Sequence, residues 1–101
     1  MVAKGFFAHV SPSGSTPITR VKAARYFRNG QQAGIGENVG FGEAALGSPL
    51  GLIQAWWAST THRINLLDRS WREVGLGIAP GIPGNPGSGA TYTTDFGVVT
   101  R

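Results

Sequence analysis

The sequence predicts an α+β domain in which helices come first and a small antiparallel sheet comes last. Two helix-start signals, Thr16-Pro17 and Ser48-Pro49, lie in the first half of the chain. Two runs of period-two alternation, separated by a Pro/Gly-rich stretch, fill the last third. That order indicates helices stacked on a sheet rather than repeated βα units. The 101 residues, 41% of them apolar, suit one small domain over residues 1–101 with no room for a second.

Thr16 supplies a hydroxyl N-cap and Pro17 a first helical residue whose φ is already set. Ile18 to Phe27 follows as a short helix, ended by Asn29-Gly30. Its wheel is imperfect, because Val21 falls between Arg25 and Arg28, so the helix packs on more than one side or frays before Arg28. Gly34 to Gly42 reads as a glycine-rich loop. After Ser48-Pro49, the residues Leu52, Ile53, Trp56 and Trp57 occupy adjoining helix positions, giving a heavily buried helix of about three turns. Thr60-Thr61 interrupts it, His62 to Leu67 forms a further helical turn, and Asp68-Arg69-Ser70 leaves it. Val74, Leu76 and Ile78 then alternate with Gly75, Gly77 and Ala79, a strand whose second face is small enough for close packing. Pro80 to Gly89 reads as a turn region. Tyr92, Thr94 and Phe96 alternate again, and Val98-Val99 complete an antiparallel hairpin.

Nine basic against five acidic residues give a formal charge of +4. The excess is local: no acid precedes Glu37, whereas Lys4, Arg20, Lys22, Arg25 and Arg28 all do. Such a surface favours anionic partners, although ordinary solubilising charge has the same composition. No zinc-finger spacing, RNP-type strand or recognition helix accompanies it, which argues against a nucleic-acid partner. With no cysteine, the chain has neither a disulfide framework nor thiolate chemistry. No apolar run reaches the ~20 residues of a membrane span, and Met1 to Gly5 leads straight into Phe6-Phe7-Ala8-His9 without a signal-peptide pattern. A nucleophile elbow is missing, and Ser11 has no activating motif. Gly34-Ile35-Gly36-Glu37-Asn38 lacks the Lys-Ser/Thr ending and the preceding strand of a phosphate loop.

Taken in order, the polar and aromatic punctuation resembles the bacterial CAP (SCP-like) domain, the superfamily of cysteine-rich secretory proteins, antigen 5 and pathogenesis-related proteins. The matching pieces are Gly5-Phe6-Phe7-Ala8-His9-Val10-Ser11-Pro12, Thr16-Pro17 with Arg20, Gly36-Glu37-Asn38-Val39, and Trp56 with Ser59. They continue with His62-Arg63-Ile64-Asn65-Leu66-Leu67, Val74-Gly75-Leu76-Gly77 and Tyr92-Thr93-Thr94-Asp95-Phe96-Gly97. The resemblance implies a three-layer α-β-α sandwich around a central antiparallel sheet, and an extracellular or cell-envelope location. It also implies a cleft where His9, Glu37 and His62 converge, with Ser59 at the position where eukaryotic members often carry a second Glu. Other departures are Arg25 at a common Gly position, Thr61 before His62 where Gly is frequent, and Thr94 at a common Gln position. Relatives begin with a long amphipathic helix, and Met1 to Lys4 matches only its last turn. The expectation is therefore an N-terminally incomplete domain, with an uncovered face open to self-association.

Two imidazoles and a carboxylate are a donor set for zinc or another divalent ion, with a position left open for water. His9 and His62 are then the metal candidates, and Glu37 either a base or the partner that orients a histidine. No local signature such as His-Glu-x-x-His enforces this reading. Structural roles are the alternative: His9 closing a helix end, Glu37 bonding amides of the 34–42 loop, His62 capping its short helix with Asn65. Two functions follow. One is a secreted, non-catalytic module that binds a lipid, an envelope polymer or a protein; the other is a metal-dependent hydrolase at the same His-Glu-His site. With Ser59 in place of the second Glu the site is incomplete, which favours the module and assigns no catalytic residue.

Overall fold

The computed structural model describes residues 1–100. Its elements are α1 (Pro17–Ala23), β1 (Gln32–Gly42), a 3-10 turn (Ala44–Gly47), α2 (Pro49–Ala58), α3 (Thr60–Leu67), β2 (Glu73–Ile82) and β3 (Asn85–Thr100). The strands form one antiparallel sheet in the order β1-β3-β2, so the last strand is central. The N-terminal residues form a turn rather than a helix, with the Gly5 N–H donating to the Val2 carbonyl and that of Phe6 to Met1.

The first helix starts where expected. Thr16 Oγ1 accepts from the Thr19 N–H at 3.3 Å, and the Thr16 N–H donates to Thr19 Oγ1 at 2.8 Å, a reciprocal capping box. It ends earlier than Asn29-Gly30 suggests. Arg25 adopts φ +66°, its N–H donates to the Lys22 carbonyl, and the Tyr26 N–H donates to the Val21 carbonyl. This is a Schellman closure with arginine in the left-handed position usually given to glycine.

The segment read as a glycine-rich loop is instead the eleven-residue strand β1. Glycine has low strand propensity, and four glycines at positions 34, 36, 40 and 42 mask the alternation of Ile35, Val39 and Phe41. Their absence of side chains is what brings the helices close. A Cβ at Gly36 would stand 2.7 Å from the Trp71 ring, and one at Gly40 would strike Leu52 and Trp56. This even-numbered face of β1 therefore carries α2 and α3. Odd-numbered residues point the other way: Glu37 meets Arg20 of α1, and Phe41 meets Phe7 edge-on at 4.7 Å. Helices thus cover both faces of the sheet, in the α+β sandwich order that the resemblance implied.

The main core cluster is small and lies on the even face: Leu52 and Trp56 of α2 with Tyr92 of β3, and Leu66 and Ala90 packed against them, while Val39 is buried on the other face. Trp56 Nε1 donates to the Val39 carbonyl at 3.1 Å, which satisfies the indole inside the core. The expectation of a heavily buried helix formed by Leu52, Ile53, Trp56 and Trp57 holds for only half of those residues. Leu52 and Trp56 share one stripe, while Ile53 and Trp57 point outward and are about half exposed.

The hairpin is longer than its alternation suggested. Most of the supposed turn region, Pro80 to Gly89, is strand: Pro80 pairs with Ala90, and Ile82 with Asn85. Gly81, at φ +93°, absorbs the register shift between them. Proline is tolerated because β2 is an edge strand. The small face of β2 is not closely packed either, since a Cβ at Gly75 or Gly77 would meet nothing within 4 Å. On its other face Val74, Leu76 and Ile78 are more than half exposed.

Candidate polar site on the α1 face

Glu37 is the acid shared by two ion pairs; its side chain is only 3% exposed, against 51% for His9 and 38% for Arg20. Its Oε1 accepts from His9 Nδ1 at 2.8 Å. An ionised carboxylate only accepts, so His9 carries its proton on Nδ1 in this contact. Arg20 approaches from α1, with Nη2 3.4 Å from Glu37 Oε2 and 2.8 Å from the His9 carbonyl oxygen that accepts from it. Its Nη1 donates to the Ser15 carbonyl at 2.9 Å and to Ser15 Oγ at 3.1 Å. One guanidinium therefore fastens α1, the 9–15 segment and β1 around a single carboxylate. Burying Glu37 is tolerable because its charge is matched by Arg20 and its oxygens accept hydrogen bonds.

Across the sheet from Glu37 stands Asp95, its register partner on β3. Burial, then hydrogen bonding to and repulsion from Glu37, push the Asp95 carboxyl up to about 7, against the opposing pull of Arg20 and His9. Near neutral pH it holds a proton for a good part of the time, and its O–H is then the donor toward Glu37. Its Oδ1 is buried without any partner. A cavity of about 210 Å³ opens over these groups, lined by Arg20, Glu37, Thr93 and Asp95 with Ser11, and walled by Met1, Phe6 and Ala8. Asp95 also borders a second cavity of about 280 Å³ beside Tyr26, Ile35 and Phe96. Here Tyr26 donates to Glu73 at 2.8 Å; burial first, then that bond, raise the phenol to about 12.

His62 is not part of this set. Glu37 and Asn38 are neighbours in a strand, so their side chains leave opposite faces. Asn38, fully buried, donates to the His62 carbonyl at 3.0 Å and accepts from Asn65 Nδ2 at 3.0 Å on the α3 side. The His62 ring meets Ser59 Oγ at 2.7 Å through Nδ1 and stacks on Trp56 with centroids 6.4 Å apart. Ser59, the residue at the second-Glu position, is the N-cap of α3 and the partner of His62. The Gly36-Glu37-Asn38 motif thus serves two faces, Glu37 holding the α1 side and Asn38 the α3 side. Among the described residues no group of three or more His, Cys, Asp or Glu side chains is arranged to hold a metal ion. A divalent ion fits poorly here as arranged, because Arg20 already neutralises Glu37 and the His62 ring lies across the sheet.

Arg20 was legible in the sequence only as part of a matching segment, and Asp95 likewise. What identifies Asp95 is its register opposite Glu37, which exists only once residues 32–42 are recognised as a strand. Ser11 bonds to Ser13, Ser15 and the Ser15 N–H, a local serine cluster with no histidine in it. Among the described residues no helix is long and apolar enough to cross a membrane.

Comparison with protein families matches residues 1–93 to CAP, the cysteine-rich secretory protein family. Neither the curated proteins nor the solved structures give a match. The matched span covers nearly the whole chain, and three helices around a three-stranded antiparallel sheet agree with the fold expected of it. The chain therefore belongs to the CAP family.

Proposed function

We propose that this CAP domain works outside the cytoplasm as a non-catalytic binding module, with the cavity over Glu37 as its ligand site. The observation that carries this reading is the state of Glu37: buried, charge-matched by Arg20 and hydrogen-bonded by His9. A carboxylate held that way orients neighbouring donors and acceptors for recognition and is a poor free base. No serine in the cavity wall is bonded to a histidine, so no activated nucleophile stands beside it. The walls of Met1, Phe6 and Ala8 against a floor of Arg20, Thr93 and Asp95 suit an amphiphile with a polar head and an apolar body, such as a lipid. Secretion follows from what is typical of the family.

A metal-dependent hydrolase would require His62 to leave Ser59 and reach the other face of the sheet. Isothermal titration with zinc separates the two readings, with His62→Ala as the control. The module predicts no stoichiometric uptake. One-to-one zinc binding that His62→Ala abolishes would replace it with the metal site. Titration with a zwitterionic detergent, followed by amide chemical shifts, should perturb Glu37, Thr93 and Asp95 first. Shifts that avoid those residues altogether would remove the cavity as the ligand site.

A further inference from the structure

We infer that the exit of α1 is a second, separate binding site, a basic depression that takes a linear phosphate polyanion. Lys22, Arg25, Phe27, Arg28 and Asn29 line an open depression of about 570 Å³, which shares no residue with the cavity over Glu37. The charges here are uncommitted. Arg20, Arg63 and Arg72 all donate their guanidinium N–H groups to the protein's own carbonyls. The side chains of Lys22, Arg25 and Arg28 make no hydrogen bond or ion pair among the described residues; the Lys22 ammonium only lies 5.8 Å over the Phe27 ring. No acid precedes Glu37 in the chain to neutralise them locally.

Solubilising charge would account for three exposed cations, but not for where one of them sits. Arg25 occupies φ +66°, the left-handed closure of α1, where glycine is free of strain and arginine is not. A cation kept at a sterically unfavourable position is a backbone outlier of the kind that accompanies function. It projects its guanidinium from the helix end, between Lys22 and Arg28 in the chain. The site is roomy and shallow, which suits a chain of charges better than one enclosed anion. Two guanidinium forks favour phosphate oxygens, which they bind in bidentate fashion. Lys22 supplies a point charge, and Asn29 an additional amide in the wall.

The probe is inorganic polyphosphate, titrated calorimetrically into the intact chain at several salt concentrations. Three phosphate contacts on a flexible strand predict a log–log salt slope of about −2, from about 0.7 for each contact. Arg25→Gly is the informative variant. It should weaken polyphosphate binding about fivefold, the size of one screened ion contact, and lower the slope by about 0.7. Its melting temperature should hold or rise, because glycine relieves the positive φ; a structural role for the arginine gives the opposite. Lys22→Gln and Arg28→Gln should each weaken binding similarly. Unchanged binding in Arg25→Gly would overturn the site. So would polyglutamate of equal charge binding as tightly as polyphosphate, or capture by anionic phospholipid vesicles with no affinity for polyphosphate.

Discussion

β1 and β2 flank the same central strand, and both alternate glycine with larger residues, yet they lie in opposite surroundings. In β1 the glycines are contact points: Trp71 and Asn65 press on Gly36, and Leu52 and Trp56 on Gly40. The intervening side chains find partners on the other face, Glu37 in an ion pair and Phe41 against Phe7. In β2 the glycines border open space, and Val74, Leu76 and Ile78 stand exposed on an unpaired edge. Glycine alternation therefore reports only that a strand is thin. Whether another element uses the thinness is decided elsewhere in the chain, by the two tryptophans and Leu52 for β1 and by nothing among the described residues for β2.

The contrast is broken most strongly from the β1 side. Trp56→Ala removes the centre of the core and leaves the Val39 carbonyl without its donor, so it should cost about 3–5 kcal/mol. That is of the order of the whole stability of a domain this size. Leu76→Ala, an aliphatic truncation on β2, should change stability by only about 0.5 kcal/mol. Urea denaturation of both variants checks the pair, and similar losses would show that β2 is covered in solution. Gly40→Ala comes next: one methyl pushed into Leu52 and Trp56 should destabilise by about 1–3 kcal/mol.

Asp95 belongs to both halves, with Glu37 beside it on β1 and Gly75 beside it on β2. Its carboxyl is raised from 3.8 to about 7 in the fold, so the folded state holds this proton more tightly than the unfolded chain does. The contribution is fully present below the unfolded value and is lost as pH rises through the folded one. Stability should thus decline between about pH 4 and pH 7 on account of this group. Asp95→Asn keeps a donor toward Glu37 without a titrating proton, and should flatten that part of the profile of urea midpoint against pH. An unaltered slope in the variant would assign the decline to another group.

Much of this architecture was legible because it rests on local chemistry. Thr16-Pro17 and Ser48-Pro49 start helices through hydroxyl caps and a fixed proline φ, and both do so in the structure. The hairpin showed in its alternation. What was hidden depends on partners distant in sequence. β1 is a strand because Trp71, Asn65 and the α2 core need a thin surface, and no window around residues 32–42 contains them. Asp95 joins the polar site through cross-strand register, and His62 parts from it because Asn38, one residue after Glu37, turns α3 to the opposite face. The end of α1 misled for a different reason, since arginine at φ +66° does the work for which the sequence would ordinarily show glycine.

The smallest stability effects are predicted on β2, and they sharpen the comparison because their sign is reversed. Gly77 is not in the left-handed region, and a Cβ there meets nothing within 4 Å. Gly77→Ala should therefore stabilise slightly, by about 0.5 kcal/mol, through the lower backbone entropy of the unfolded chain. The same strand also offers an unpaired edge and three exposed aliphatic side chains, the combination that recruits another strand or another copy. Self-association should accordingly grow with concentration in sedimentation velocity. Ile78→Lys places a charge in the middle of that edge and should suppress association, with stability changed by no more than about 0.5 kcal/mol, because the side chain it replaces is 55% exposed. Gly77→Ala would leave association intact. A domain that stays monomeric at every concentration, or an Ile78→Lys variant that unfolds, would mean that β2 is packed as tightly as β1 in solution, and the contrast between the two edges would not hold.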